Sequence, residues 1–241
     1  MQAEFKQLKN EFAEVLSKNS NLKKAIREVT KKELIKASLV VRNPRHKSVS
    51  VDGILEGILQ KDVTVGDYIF IQSSNELMRE IYGNLEMGNK MDRNLLVKAY
   101  RILSEDDEGS FRNSNPVVYG FNLVPVNATE IEQQIEEMFR KVYSDDTGDN
   151  VILNAMFIHN KIIEIWPFEE FSGELAVFAM NYYFMEKGLM PIIFDMEQQD
   201  YLDIVSACLK GRRREELYKY IYGAVKDKMK NTIEICKGYT T

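Results

Sequence analysis

The sequence predicts a mainly α-helical protein with a small β-hairpin and a helical extension at its amino terminus. Apolar residues recur at helical spacing along most of the 241 residues. A Trp-Pro-Phe break separates two predicted helices in the central stretch 154–194. Apolar and polar residues alternate weakly over 117–124, and this stretch is rich in residues that favour strands, so it forms the predicted hairpin.

The predicted extension comprises about the first 36 residues. Its apolar residues keep helical spacing in two runs, and these are Phe5, Leu8, Phe12, Val15, Leu16, Leu22, Ile26, Val29 and Leu34. Lysines and arginines between 23 and 32 form a basic face that glutamates interleave. A solvated helix face is therefore favoured over a nucleic-acid site. A break at 43–46 predicts a boundary between the extension, 1–45, and a main domain, 46–241.

Three amphipathic helices are predicted next, at 68–83, 92–103 and 129–143. Thr129 and Glu132 have the spacing of a capping box, which predicts the start of the third helix. An acidic turn follows at 145–149. It lacks the spacing of a calcium-binding loop, so a solvated loop is the favoured interpretation.

The central stretch is predicted to be two helices joined by a short loop. The buried face of the first helix consists of Ala155, Ile158, Ile162 and Ile165. This helix is expected to end near Ile165, because Pro167 disfavours helical geometry in the residue before it. The second helix is expected to start at Ser172, a good N-cap residue, and to stop at Gly188. A short loop that leads into a helix amino terminus is a ready anion site, since the first backbone N–H groups lack partners.

Two closing helices are predicted at 201–209 and 215–225, separated by an arginine-containing turn at 210–214. The net charge of −5 favours a solvated turn over a phosphate site there. It also gives no general attraction to nucleic acid or anionic lipid. No apolar run is long enough to span a membrane, and the amino terminus lacks the apolar centre of a signal peptide, so a cytoplasmic location is expected.

Cysteines and histidines are too few for a disulfide framework or a zinc site. Cys208 and Cys236 are expected to be buried thiols in a reducing compartment. His46 and His159 are the two histidines of the chain, and without clustered cysteines no zinc site is expected. His159 lies on an apolar helix face, which is typical of a structural histidine rather than a base.

The loop between the central helices resembles the active-site loop of the Fic family, whose pattern is HPFx(D/E)GNGRxxR. Pro167, Phe168, Glu170 and Gly173 match this pattern. Members of the family are mostly AMP-transferases that act on protein hydroxyls. The resemblance covers roughly residues 48–223 and implies a Fic-like helical fold. In such a fold the predicted hairpin is the flap that aligns a target segment by strand addition, and a purely structural hairpin is the alternative.

Two further segments have counterparts in the family. Glu56-Gly57 resembles the end of the inhibitory motif (S/T)xxxE(G/N), although Asp52 replaces its hydroxyl residue. In the family this glutamate pairs with the second loop arginine and obstructs the γ-phosphate of ATP. The arginine position here is Val177, so that pair cannot form, and Glu56 as an ordinary polar helix residue is the alternative. Residues 109–112 match a G-x-(Y/F)-R segment of the family.

The loop departs from the family pattern at the positions that carry its chemistry. Trp166 replaces the histidine base, and an indole has an N–H donor but no basic lone pair. Phe171 replaces the first glycine, and Ser172 replaces the asparagine. Glu174 and Val177 replace the two arginines, so a negative charge stands where phosphates would otherwise bind.

The sequence therefore predicts a Fic-like protein whose catalytic positions between Trp166 and Glu174 are not intact and which acts through protein binding or regulation. Glu170 is the remaining metal position of the family, and it is weak without substrate phosphates. No cofactor is expected, and the expected partner is an unknown protein or a second copy, with no nucleic acid and no membrane. The alternative is a rewired nucleotidyl- or phosphotransferase that uses ATP and Mg²⁺, with Glu169 or Glu170 as its base.

Overall fold

The computed structural model describes residues 2–18, 20–42, 48–118, 120–121, 123–144 and 150–238. In this part of the chain it contains ten α-helices. They are α1 (Gln2–Ser17), α2 (Ser20–Arg42), α3 (Val51–Leu55), α4 (Val65–Glu86), α5 (Arg93–Ser104), α6 (Ile131–Ser144), α7 (Val151–Ile165), α8 (Ser172–Glu186), α9 (Gln198–Leu209) and α10 (Arg214–Gly238). The mainly α-helical prediction is confirmed. None of the described helices combines the length and the apolarity that a membrane span needs.

Helices α7 and α8 form the centre of the fold. The predicted inward face of α7 is fully buried, and it consists of Ala155, Ile158, Ile162 and Ile165. α8 is buried on nearly all sides, and Tyr182, Tyr183 and Phe184 have no exposed surface. Helices α4, α5, α6, α9 and α10 pack around this pair. The loop that joins α7 to α8 therefore connects the two best-buried elements of the chain.

The amino-terminal helices pack on the rest of the protein. α1 lies against α10, and α2 lies against α4. Their buried residues belong to the same hydrophobic core as the central helices, and these are Leu8, Phe12, Leu34, Ile35 and Leu39. Val29 departs from the predicted pattern and is 57% exposed, because its neighbour Thr30 takes the buried position. The predicted domain boundary between 45 and 46 lies outside the described residues.

The predicted hairpin at 117–124 is reduced to one antiparallel bridge between Val118 and Leu123. Tyr119 and Asn122 lie outside the described residues, and among the residues that are described no strand is present. The two valines that flank the bridge are 69% and 92% exposed. They add no packing that would extend the ladder, and a two-stranded ribbon without an apolar cover is marginal in water.

The predicted signals at helix ends and turns have mixed outcomes. The capping box at Thr129 is not formed, because Asn127 Oδ1 accepts both the backbone N–H and the hydroxyl of Thr129, at 3.2 and 3.1 Å. A 3-10 turn, Ala128–Glu130, then leads into α6. Gly188 ends α8 in the left-handed region, with φ 71°, as predicted. The predicted turn at 145–149 lies outside the described residues.

Candidate functional site

The loop between α7 and α8 has a left-handed backbone at both ends. The N–H of Trp166 donates to the carbonyl of Ile162 at 2.8 Å and closes the last turn of α7, while Trp166 itself has φ 50° and ψ 64°. Phe171 has φ 62° and is the N-cap residue of α8. Residues other than glycine, asparagine and aspartate rarely adopt this conformation. Contacts around the loop must therefore hold it in place.

The indole of Trp166 lies over the start of α8. A Cβ atom built on Gly173 would meet Cη2 of Trp166 at 4.0 Å, which is ordinary van der Waals contact. The ring centroid of Trp166 is also 6.0 Å from that of Phe121, a buried residue. The hydroxyl of Ser206 on α9 donates to the Phe121 carbonyl at 3.0 Å and fixes this contact. The indole therefore lies beside Gly173 and packs against Phe121.

Phe168 anchors the middle of the loop in the core. Its side chain has no exposed surface. Its ring stacks on that of Tyr100 in α5 with a centroid distance of 4.1 Å and an interplanar angle of 9°. The ring of Phe111 lies 5.3 Å away in a tilted arrangement. These contacts attach the loop to α5 and to the segment that follows it.

Ser172 does not act as the N-cap that its residue type predicts. It is the first residue of α8, and the N-cap position belongs to Phe171. The Ser172 hydroxyl accepts a hydrogen bond from the N–H of Phe168 at 2.9 Å and donates one to the Phe168 carbonyl at 3.0 Å. It is fully buried. The hydroxyl bonds to the backbone of Phe168 because the N–H and carbonyl of that residue would otherwise be buried without partners.

Phe171 has a backbone conformation that is unusual for a residue with a side chain. Its φ of 62° is in the left-handed region that glycine adopts readily. Its ring stacks on that of Phe70 in α4, with 6.2 Å between centroids and an interplanar angle of 5°. Packing on α4 therefore offsets a backbone strain of about 1–2 kcal/mol.

Replacing Phe171 by glycine is expected to destabilise the protein by about 1 kcal/mol less than replacing it by alanine. Both variants lose the contact with Phe70, but only glycine relieves the left-handed backbone. Urea denaturation measures the two free energies of unfolding. Val177→Gly and Val177→Ala, within α8, are the matched controls, and there glycine is expected to be the worse residue by about 1 kcal/mol. The same order at both positions would contradict the strain at Phe171.

The three carboxylates of the loop have different surroundings. Glu169 is exposed and accepts a hydrogen bond from the hydroxyl of Ser114 at 2.6 Å. Glu170, the metal position of the family pattern, is exposed as well. Glu174 is half-buried in the first turn of α8, and its negative charge, after burial, raises the pKa of the Tyr201 hydroxyl. Among the described residues no group of three or more His, Cys, Asp or Glu side chains is arranged to hold a metal ion.

Glu56 lies at the end of α3, where it is exposed and forms the C-cap of the helix. Ser50 caps the other end of this helix by accepting the N–H of Gly53 at 3.1 Å. The negative charge of Glu56 is one of several that raise the pKa of Lys32, after the hydrogen bond that Lys32 donates to Asp52. Its described contacts therefore involve α2 and α3, and none of them reaches the loop at 166–174.

Arg112 is a residue of this site whose role the sequence did not reveal. Its side chain is buried, and its Nε donates to the Trp166 carbonyl at 2.6 Å. Its backbone N–H also donates to the Pro167 carbonyl at 2.9 Å. The match of residues 109–112 to the G-x-(Y/F)-R segment was the signal that could have pointed to it.

His159 is a structural residue in α7. It has no exposed surface, and its Nε2 is hydrogen-bonded to the hydroxyl of Tyr201 at 2.8 Å. Its Nδ1 lies 2.9 Å from Oδ1 of Asn160. Burial disfavours the charged imidazolium and lowers the pKa of His159 to about 4. A neutral imidazole held on both sides packs the central helix against α9.

A surface groove lies away from the loop. It has a volume of about 1070 Å³ and runs between α4 and α5. Its charged side chains pair with one another, as Lys98 does with Glu80 at 2.5 Å and Arg93 with Glu132. No residue of 166–174 lines it.

Comparison with known proteins gives a consistent family and fold. Residues 90–184, from just before α5 to the last turn of α8, match the Fic/DOC family. The fold is similar to that of a Fic domain containing signaling protein from Bacteroides thetaiotaomicron, with a TM-score of 0.82, 17% identity, and coverage of 97% of this chain and 96% of that chain. For Fic-1 from C. elegans the TM-score is 0.75, the identity 15% and the coverage 99% of this chain and 72% of that chain. For a Fic family protein from Desulfovibrio desulfuricans the TM-score is 0.68, the identity 15% and the coverage 95% of this chain and 74% of that chain. No functionally curated protein matches the sequence.

The family match contains the elements that position the loop. It includes α5, Arg112, α7, the loop after α7, and α8 as far as Phe184. The similarity to solved structures extends over nearly the whole chain and concerns the fold, since the identities are low. Residues 90–184 of this chain therefore match the Fic/DOC family, and the fold around them is similar to that of solved Fic-domain structures.

Proposed function

We propose that this Fic-domain protein does not transfer AMP and instead acts by binding, either to a protein partner or to a second copy of itself. One observation carries the proposal. The family's base position holds Trp166, whose indole packs over Gly173 at the start of α8. The position of the indole beside α8 and its lack of a basic lone pair support binding rather than transfer.

Transfer of AMP to a hydroxyl requires a base that removes the hydroxyl proton. An indole donates a hydrogen bond but has no basic lone pair, so Trp166 cannot fill this role. His159 is the nearest histidine in sequence, but it is buried and hydrogen-bonded on both ring nitrogens. Glu169 is engaged by the hydroxyl of Ser114. These contacts support a site without a poised base.

Binding of a triphosphate requires hydrogen-bond donors and positive charge. Glu174 lies in the first turn of α8, where the helix dipole already favours its carboxylate. A phosphate oxygen about 4 Å from that carboxylate would meet a repulsion of about 4 kcal/mol at an effective dielectric of about 20. The family's arginine positions are Glu174 and Val177, so neither supplies a compensating cation. Glu170 alone offers one carboxylate, which is weak support for Mg²⁺.

Isothermal titration of the protein with ATP and Mg²⁺ tests the proposal. No heat of binding is expected up to about 1 mM ATP, the range in which a complex has only about 4 kcal/mol of binding free energy. Trp166 is the only tryptophan of the chain, so its fluorescence gives an independent readout at the same loop. A dissociation constant in the micromolar range, accompanied by a change in Trp166 emission, would contradict the proposal. Light scattering in parallel separates self-association from a need for a different partner.

The rewired transferase is the alternative, and incubation with nucleotides labelled on the α-phosphate and, separately, on the γ-phosphate decides between the two. Under the main proposal neither the protein nor a lysate acquires label with Mg²⁺ or Mn²⁺. Under the alternative, label is transferred, and Glu169→Gln or Glu170→Gln abolishes the transfer because a carboxylate is the base.

A further inference from the structure

Arg112 is a buried cation whose charge is balanced by carbonyl oxygens rather than by a carboxylate. Its side chain is 4% exposed. Burial lowers the pKa of its guanidinium, and the negative charge of Glu169 acts in the opposite direction. The Glu169 carboxylate itself accepts a hydrogen bond from the hydroxyl of Ser114.

All five N–H groups of the Arg112 side chain have acceptors. Nε donates to the carbonyl of Trp166 at 2.6 Å. Nη2 donates to the carbonyls of Ile165 and Val126, at 3.0 and 2.6 Å. Nη1 donates to the carbonyl of Ser114 and to Asn115 Oδ1, the latter at 3.3 Å. A guanidinium has five N–H donors, so none remains for a phosphate. Arg112 therefore cannot stand in for the arginines that the loop lacks.

Two of these acceptors are the carbonyls of Ile165 and Trp166 at the end of α7. The last carbonyls of a helix lack intrahelical partners and carry the negative end of the helix dipole. A cation at this place satisfies both groups. It also bonds directly to the peptide of Trp166, whose φ of 50° is strained for a non-glycine residue.

We propose that Arg112 is the positioning residue of the central loop: it holds the Trp166 peptide in its left-handed conformation and thereby keeps the indole over Gly173. The guanidinium connects the end of α7 to the segment 112–115 and to Val126. Removing it frees the Trp166 carbonyl, and the peptide relaxes toward a right-handed or extended geometry. The indole then leaves Gly173. This inference concerns the loop's conformation and holds whether or not the loop binds a nucleotide.

Fluorescence of Trp166 tests the proposal in the full-length chain, because this residue is the only tryptophan. Arg112→Gln removes the charge and most of the donors, while Arg112→Lys keeps the charge but cannot reach all five acceptors. For Arg112→Gln we expect a red-shifted emission and an acrylamide quenching constant that rises at least about twofold, since a released loop opens locally. Arg112→Lys is expected to give a smaller change in the same direction.

Asn181→Leu is the matched control for a general loss of stability. Asn181 is buried and exchanges two 2.9 Å hydrogen bonds with the backbone of Ile192, away from the loop. The Asn181→Leu substitution is expected to lower the melting temperature and to leave the emission and quenching of Trp166 unchanged below that temperature. If Arg112→Gln behaves like Asn181→Leu in both respects, the positioning role is wrong. If Arg112→Gln does not fold, an unchanged Trp166 signal in folded Arg112→Lys overturns the proposal in the same way.

Discussion

Replacing Phe168 by alanine is expected to lower the free energy of unfolding by about 3–5 kcal/mol. The side chain is fully buried and stacks between Tyr100 and Phe111, so alanine leaves a cavity as well as losing the ring contacts. Such a loss is a large part of the about 5–15 kcal/mol that stabilises a typical domain. Guanidinium denaturation followed by circular dichroism measures it.

Two further variants test whether the loss of stability in Phe168→Ala comes from the buried contacts of this ring. Phe168→Leu keeps most of the volume and is expected to destabilise the protein by less than half as much as alanine does. Phe157→Ala, on the half-buried outer side of α7 where Lys141 lies over the ring, is expected to destabilise it less than Phe168→Ala. A loss for Phe168→Ala no larger than that for Phe157→Ala would show that the loop is not anchored by this ring.

Acidification is expected to destabilise the protein through His159 between about pH 6.5 and pH 4. The pKa of His159 is lowered from 6.5 to about 4 in the fold, because the buried imidazole resists protonation. As the pH falls, the unfolded chain takes up a proton first, so the stability contributed by the neutral histidine is lost below pH 6.5. At about 1.4 kcal/mol per pKa unit, this difference corresponds to about 3 kcal/mol when pH 4 is reached.

The measurement is the free energy of unfolding at several values of pH between 7.5 and about 4. His159→Gln is the control, because glutamine can bond to Tyr201 or Asn160 but does not titrate. Carboxylates contribute equally to both proteins, so the difference between the two curves isolates the histidine. Parallel curves would mean that the pKa of His159 is the same in the folded and unfolded chains, which would contradict this prediction.

The helices and the residue types of the loop between α7 and α8 could be predicted because both are local properties of the chain. A buried helix face repeats every 3.6 residues, and α7 satisfies this rule at all four predicted inward positions. Its end near Ile165 follows from Pro167, which acts on its immediate neighbour. The replacements at Trp166, Phe171 and Glu174 are equally visible in the sequence, because a single loop contains them.

The roles of individual loop residues could not be predicted in the same way. Ser172 has the residue type of an N-cap, but the backbone of Phe168 takes up its hydroxyl. The preference for serine at a cap is a local tendency, and a turn with buried backbone groups overrides it. The predicted hairpin is present only as the bridge between Val118 and Leu123, since strand-forming residues need a neighbouring surface to cover them.

By itself, the sequence determined the helical core and the chemical character of the central loop, which contains the indole of Trp166 and the carboxylate of Glu174. Only the tertiary structure decided where these groups lie: the indole over Gly173, Phe171 on Phe70, and the Arg112 side chain on the end of α7. The hydrogen bond from Arg112 to Trp166 joins residues 54 positions apart. Contacts of this kind depend on how the helices pack, and no local spacing rule encodes them.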